Sequence, residues 1–145
     1  MSRWGMGDVT EKGRPMHSFT CRVYYEDTDL AGIVYYANYL KFIERARSEW
    51  VREVGIDQRA LQADTGVVFA VRRVVAEYLA PARFDDVLEV ATRPMGLTPA
   101  RLVLDQRVLR GTAVLFTAEV TLVALDAAGR PVRLPAALRD AASVR

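Results

Sequence analysis

The sequence predicts an α+β domain in which one long helix lies against a curved antiparallel sheet. A single stretch has helical period: Leu40, Ile43, Trp50, Val51 and Val54 fall on one stripe, while Lys41, Glu44, Arg45, Glu49 and Arg52 fall elsewhere. Most of the chain beyond it reads as β-rich runs cut by Pro and Gly, at the spacing of a meander or related sheet. No repeat and no second domain is visible.

Residues 1–16 are polar and Gly-containing, without the apolar core of a signal peptide, and read as a flexible leader to a single domain over 17–145. From 18 to 26, Phe19, Cys21, Val23 and Tyr25 alternate with Thr20, Arg22 and Tyr24, which predicts a strand ending at Asp27. The long helix starts near Ala37, with Asn38 as its expected cap, and spans roughly 17 residues or about 25 Å. Gly55 suits its left-handed stop, and Arg45 with Glu49 can pair one turn apart. A short helix over 57–64 follows, then strands over 67–78, 87–92, 101–110 and 113–125. Pro81, Pro94, Pro99, Gly111 and the turn from Asp126 to Gly129 separate them. A last strand over 131–134 precedes an Ala-rich helix that Pro135 opens and that ends near Ala142.

A single apolar-striped helix beside about five strands is buried most simply if the sheet curves around it, a hotdog-like arrangement. Such a sheet leaves edges open, and the runs over 101–110 and 113–125 are apolar on both alternations, so pairing with a second copy is expected.

Composition removes several function classes. At 145 residues and 51% hydrophobic content the chain can bury an ordinary core, and its net charge of +2 arises from 20 basic and 18 acidic residues mixed along the sequence. No polybasic arm points to nucleic acid. No apolar run of about 18 residues is present that would span a bilayer. The lone Cys21 fits a reducing compartment, and the expected location is cytoplasmic. One cysteine and one histidine make no zinc site, so no metal is expected, and no Gly-rich phosphate loop or Gly-x-Ser-x-Gly elbow occurs.

The chemistry concentrates between Tyr24 and Asn38, in Tyr-Tyr-Glu-Asp-Thr-Asp-Leu-Ala-Gly-Ile-Val-Tyr-Tyr-Ala-Asn. Carboxylates that interrupt a strand are costly to bury unless they find donors or do chemistry. A helix start supplies such donors, because its first N–H groups lack partners and carry partial positive charge. Taken alone, an Asp-Thr-Asp turn is more often a capped loop than a catalytic centre. Asp27 reads as the residue that holds the turn, and Tyr25 as aromatic core.

Together with Glu44-Arg-Ala-Arg-Ser-Glu49, Phe69-Ala-Val-Arg-Arg-Val and Glu77-Tyr-Leu-Ala-Pro-Ala-Arg-Phe-Asp-Asp86, this segment resembles the 4-hydroxybenzoyl-CoA thioesterase family over roughly residues 18–126, in its YbgC-type, Tol-Pal associated branch. The resemblance implies a hotdog fold, a homodimer or a tetramer built as a dimer of dimers, and hydrolysis of acyl-CoA without metal or organic cofactor. It makes Asp29, the second aspartate of Asp-x-Asp-x-x-Gly, the catalytic carboxylate, acting as nucleophile or as general base. It also implies that the backbone N–H of Tyr36 polarises the thioester carbonyl. Gly32 then gives room for the turn, while Ile33, Val34 and Tyr35 wall the acyl group and Glu44 lies near enough to line the pocket. Arg72, Arg73, Arg83 and Arg101 are candidates for the CoA phosphates, since a guanidinium binds phosphate bidentately. Arg72 and Arg73 alternate on a strand, so at most one reaches a given ligand.

Two positions depart from the branch. Tyr36 stands where many relatives carry histidine, and Thr98-Pro-Ala-Arg101 stands where they carry Arg-Gly-Thr-Ser. His17, expected ahead of the first strand, argues against a hotdog dehydratase, which needs a histidine in its site. The competing class is a non-catalytic acyl-CoA binding or scaffold protein of the same fold.

Overall fold

The computed structural model describes residues 16–143. The expected leader therefore lies, apart from Met16, outside the described residues. The chain runs β1 (His17–Arg22), a 3-10 turn (Tyr25–Asp27), α1 (Asn38–Glu53), α2 (Gln58–Thr65), β2 (Val68–Tyr78), β3 (Val87–Leu97), β4 (Arg101–Arg110), β5 (Ala113–Leu125), β6 (Pro131–Val132) and α3 (Ala136–Ala142). The main strands form one antiparallel sheet in the order β1-β3-β4-β5-β2, with β6 paired to β5. The order is not a simple meander, because β2 crosses to the far edge beside β5.

Helix α1 packs on the face of this sheet against β1, β3 and β4. Its buried residues are Asn38, Tyr39, Phe42, Ile43, Ala46, Trp50 and Val51. Leu40, expected in the stripe, is exposed instead. A stripe through 39, 43, 46 and 50 leaves position 40 about 100° round the helix, so one residue of rotation decides it. Gly55 stops the helix in the left-handed region at φ 98°, as expected. Glu49 pairs with Arg52 rather than Arg45.

Three other expectations are corrected. β1 ends at Arg22, because the Asp27 carboxylate takes the Tyr24 N–H at 2.8 Å and the following residues coil into the 3-10 turn. His17 lies inside β1, with Nε2 3.0 Å from the Glu53 carboxylate, rather than ahead of the strand. Pro94 does not end β3: the strand continues to Leu97, and the pairing with β4 shifts register between Pro94 and Gly96. Such an irregularity is where a ladder tolerates a residue without an N–H.

Helix α2 is set by local chemistry. Asp57 accepts the N–H groups of Arg59 and Ala60, and Gly66 closes the helix at φ 76°. Asp57→Ala is expected to cost about 1 kcal/mol, the usual worth of an N-cap, read as a lower urea midpoint with an unchanged slope.

A buried polar side chain also ties α1 to the sheet. Gln106 on β4 is fully buried, donates Nε2 to the Ile43 carbonyl at 3.0 Å and to Thr92 Oγ1 at 2.8 Å, and accepts from Arg47 at 3.0 Å. Burial pulls the Arg47 pKa below its ordinary value, opposed by the charge of Glu44.

Candidate active site

The loop from Asp27 to Ala37 is a small folded unit. Asp29 accepts the Ala31 N–H on Oδ1 at 2.9 Å, its own N–H donates to the Ile33 carbonyl, and its carbonyl accepts the Gly32 N–H. Gly32 sits at φ 82°, a conformation that disfavours any Cβ, so the turn requires glycine there. Thr28 bridges Val34, and Ile33 bridges Arg83. The Asp27 carbonyl accepts both the Tyr35 N–H at 2.9 Å and Asn38 Nδ2 at 2.8 Å. These two bonds fasten the aspartate loop to the mouth of α1. Asn38 is thus not the cap; Ala37 occupies that position, and Asn38 is the first helical residue.

The mouth of α1 keeps open donors. Asn38, Tyr39 and Leu40 donate to the carbonyls of Tyr35, Tyr36 and Ala37, whereas the N–H groups of Tyr36 and Ala37 donate to nothing among the described residues. No side chain caps this helix end. Two N–H groups at a helix start, with the dipole behind them, suit an oxygen that gains negative charge.

Beside the open donors lies a largely apolar pocket of about 300 Å³ lined by Ile33, Val34, Tyr36, Tyr39, Tyr78, Leu79, Ala80 and Pro81. Its floor is aromatic. Tyr39 stacks on Phe116 with centroids 5.0 Å apart, and Tyr78 stands edge-on to Tyr36, Tyr39 and Phe116. Val34 N–H donates to the Ala82 carbonyl, and Ala82 N–H donates to the Tyr39 hydroxyl, which closes the wall.

The segment after Pro81 is anchored by Arg110, which donates to the Pro81 carbonyl at 3.3 Å and pairs with Asp86 at 2.8 Å. Burial opposes ionisation of Asp86, but the Arg83 N–H and the Arg110 guanidinium outweigh it and hold the carboxyl below its ordinary range.

The remaining expected residues scatter. Asp29, Gly32 and Tyr35 are exposed, and none of them lines the pocket. Tyr25 is not core: it is 79% exposed and stacks on Phe84 with centroids 4.4 Å apart. Glu44 accepts the Ser48 hydroxyl and lines a separate cavity of about 170 Å³ with Arg47, Val51 and Phe69. Arg83 is exposed beside the aspartate loop, its N–H bound to Asp86. Arg72 lies where the β2–β5 register shifts, and Arg73 faces Glu119 at 3.9 Å. Arg101 begins β4, whereas Arg110, at its other end, touches Pro81. Ten residues of strand put Arg101 about 30 Å from that end.

Sequence reasoning missed Tyr78, Phe116 and Arg110. Tyr78 lies within the Glu77-to-Asp86 segment that carried the resemblance, so a signal was present for that residue alone.

Cys21 is no alternative nucleophile. Burial pushes its thiol up to about 11, with Arg45 lowering and Asp27 raising it. Iodoacetamide at pH 7.5 is expected to alkylate Cys21 much more slowly in the native protein than in denaturant.

Residues 23–142 match the thioesterase-like superfamily. The chain belongs to that superfamily. Among relatives of this thioesterase-like protein, the acyl-CoA thioester hydrolase YbgC of Escherichia coli O157:H7 is 46% identical over 106 residues, covering 72% of this chain and 78% of the relative. The acyl-CoA thioesterase YbgC of Haemophilus influenzae is 38% identical over 125 residues, covering 86% and 92%. The crystal structure of a probable thioesterase from Bartonella henselae superposes with a TM-score of 0.80 at 38% identity, covering 83% of this chain and 99% of that one. The hotdog arrangement expected from one helix and a curved sheet is therefore the fold of this thioesterase-like chain. Among the described residues no group of three metal-ligating side chains occurs, and no helix is long and apolar enough to cross a membrane.

Proposed function

We propose that this protein hydrolyses acyl-CoA thioesters to the carboxylic acid and CoA, with Asp29 as the catalytic carboxylate and the Tyr36 N–H as donor to the thioester carbonyl. The observation that carries this reading is the pair of open N–H groups at the mouth of α1, fastened through Asp27 to the loop that bears Asp29.

In the reaction an oxygen attacks the carbonyl carbon, the C–S bond breaks, and CoA leaves as a thiolate that takes up a proton. The oxygen belongs to Asp29, giving a mixed anhydride that water then cleaves, or to a water that Asp29 deprotonates. In either route negative charge builds on the carbonyl oxygen, where a preorganised N–H contributes about 2.7 to 4 kcal/mol to lowering the barrier. The acyl group occupies the pocket floored by Tyr39 and Tyr78, and Arg83 is the candidate for a CoA phosphate that stands beside the loop.

The test is a panel of short, medium and aromatic acyl-CoAs followed by release of free thiol. Turnover of at least one class is expected; tight binding of CoA esters without turnover of any would favour a binding protein instead.

We further propose a homodimer formed along β2. This strand is a sheet edge 11 residues long, and it exposes Val71, Val74 and Val75. An edge of that length is a template for another strand, and of the charges it carries Arg73 is met by Glu119 on β5 while Arg72 and Glu77 are exposed beside the valines. Val75→Lys is expected to shift sedimentation equilibrium from dimer to monomer.

A further inference from the structure

We propose that Tyr78 is a positioning residue for carbonyl activation, its phenol hydroxyl holding the peptide group that opens α1. The inference rests on the reading of the helix mouth as the oxygen-binding element.

Tyr78 ends β2, where the sheet register sets it opposite Phe116. Its ring is held edge-on by three others, with centroids 5.0 Å away at Phe116, 5.6 Å at Tyr39 and 6.0 Å at Tyr36. From that half-exposed seat its hydroxyl donates to the Tyr36 carbonyl at 3.2 Å. The same carbonyl is approached by the Tyr39 N–H at 3.4 Å, long for an amide bond in a first helical turn. Without the phenol, that long contact is the one remaining hydrogen bond to this oxygen among the described residues.

A peptide group is planar, so fixing the Tyr36 carbonyl fixes the direction of the Ala37 N–H across the same C–N bond. That N–H is one of the two open donors. Donors of this kind act by being aimed before charge develops, and a swing of 10–20° in the supporting group is enough to weaken them. Phe116 and Tyr39 thus fix Tyr78, Tyr78 fixes the peptide, and the peptide aims the Ala37 N–H, as a second donor beside the Tyr36 N–H, at the reacting oxygen. Burial, then the neighbouring phenols of Tyr36 and Tyr39, raise the Tyr78 pKa, so the hydroxyl keeps its proton at neutral and mildly alkaline pH.

The test is Tyr78→Phe in the full chain, which removes one oxygen and keeps the ring contacts, assayed with the fastest acyl-CoA of the panel beside wild type and Asp29→Asn. The expected result is a kcat about 10-fold lower, less than loss of a whole donor, with KM within about twofold and an unchanged melting temperature. A kcat equal to wild type overturns the proposal, as does a change confined to KM, which would make Tyr78 merely a pocket wall. If Tyr78→Phe matches wild type while Asp29→Asn is inactive, only the role of Tyr78 falls. If Asp29→Asn keeps its rate while Tyr78→Phe is slowed, the carboxylate reading falls and the positioning role stands. A wild type inert toward every thioester overturns both.

Discussion

Asp29→Asn is expected to release thiol from acyl-CoA about 100-fold or more slowly than wild type, the scale of a general acid or base contribution. The substitution is nearly isosteric, and an asparagine side-chain oxygen still accepts the Ala31 N–H that Asp29 accepts at 2.9 Å. The loop should therefore keep its shape while the side chain loses its charge and basicity. The fall should appear in kcat with little change in KM, because the open donors at the mouth of α1 and the pocket remain. Stopped-flow detection of free thiol under saturating substrate is the measurement. A rate within twofold of wild type would remove Asp29 from the mechanism and leave the helix mouth without its reacting partner.

Phe116→Ala is expected to give the largest loss of stability, about 3 to 5 kcal/mol, as for other buried aromatics cut to alanine. Phe116 is fully buried and touches both Tyr39 and Tyr78 ring to ring. Its removal opens a cavity beneath two residues that line the pocket, and the surrounding strands of β5 and β2 are too tightly paired to collapse into it. Thermal unfolding should shift down by roughly 10 °C or more. Turnover by the remaining folded protein should fall as well, because Tyr78 would lose the contact that fixes its hydroxyl under the Tyr36 carbonyl. Tyr78→Phe separates these effects, since it keeps the packing and deletes only the hydrogen bond.

Much of the local geometry of the candidate site is legible along the chain. The Asp-x-Asp-x-x-Gly spacing placed Asp29 and Gly32 in one turn, and Gly32 adopts the positive φ that made glycine informative. Asp27 holds the turn as its position suggested, through the Tyr24 N–H. The arginines were not legible in the same way. Four are candidates because a guanidinium binds phosphate bidentately, and chemistry without an address cannot tell Arg83, beside the loop, from Arg101, at the far end of β4. Tyr35 is expected with Ile33 and Val34 as a wall of the pocket, yet neighbours at a helix mouth point in different directions, and Tyr35 turns to solvent.

Legible from short range alone are the period of α1, the Gly55 stop that ends it, the presence of a short helix near 57–64, the spans of β4 and β5, and the glycine turn after Asp29. Each depends on residues within a few positions of one another, where hydrogen-bond geometry and side-chain period act directly. Tertiary structure alone decided which distant groups meet, as when Tyr78 reaches the Tyr36 carbonyl across 42 positions and Gln106 reaches the Ile43 carbonyl across 63. Those contacts follow from a strand order in which β2 lies beside β5, and from a register that sets Tyr78 opposite Phe116. No short-range rule encodes either choice, because both are settled by burying the α1 stripe and both faces of β4 and β5 at once.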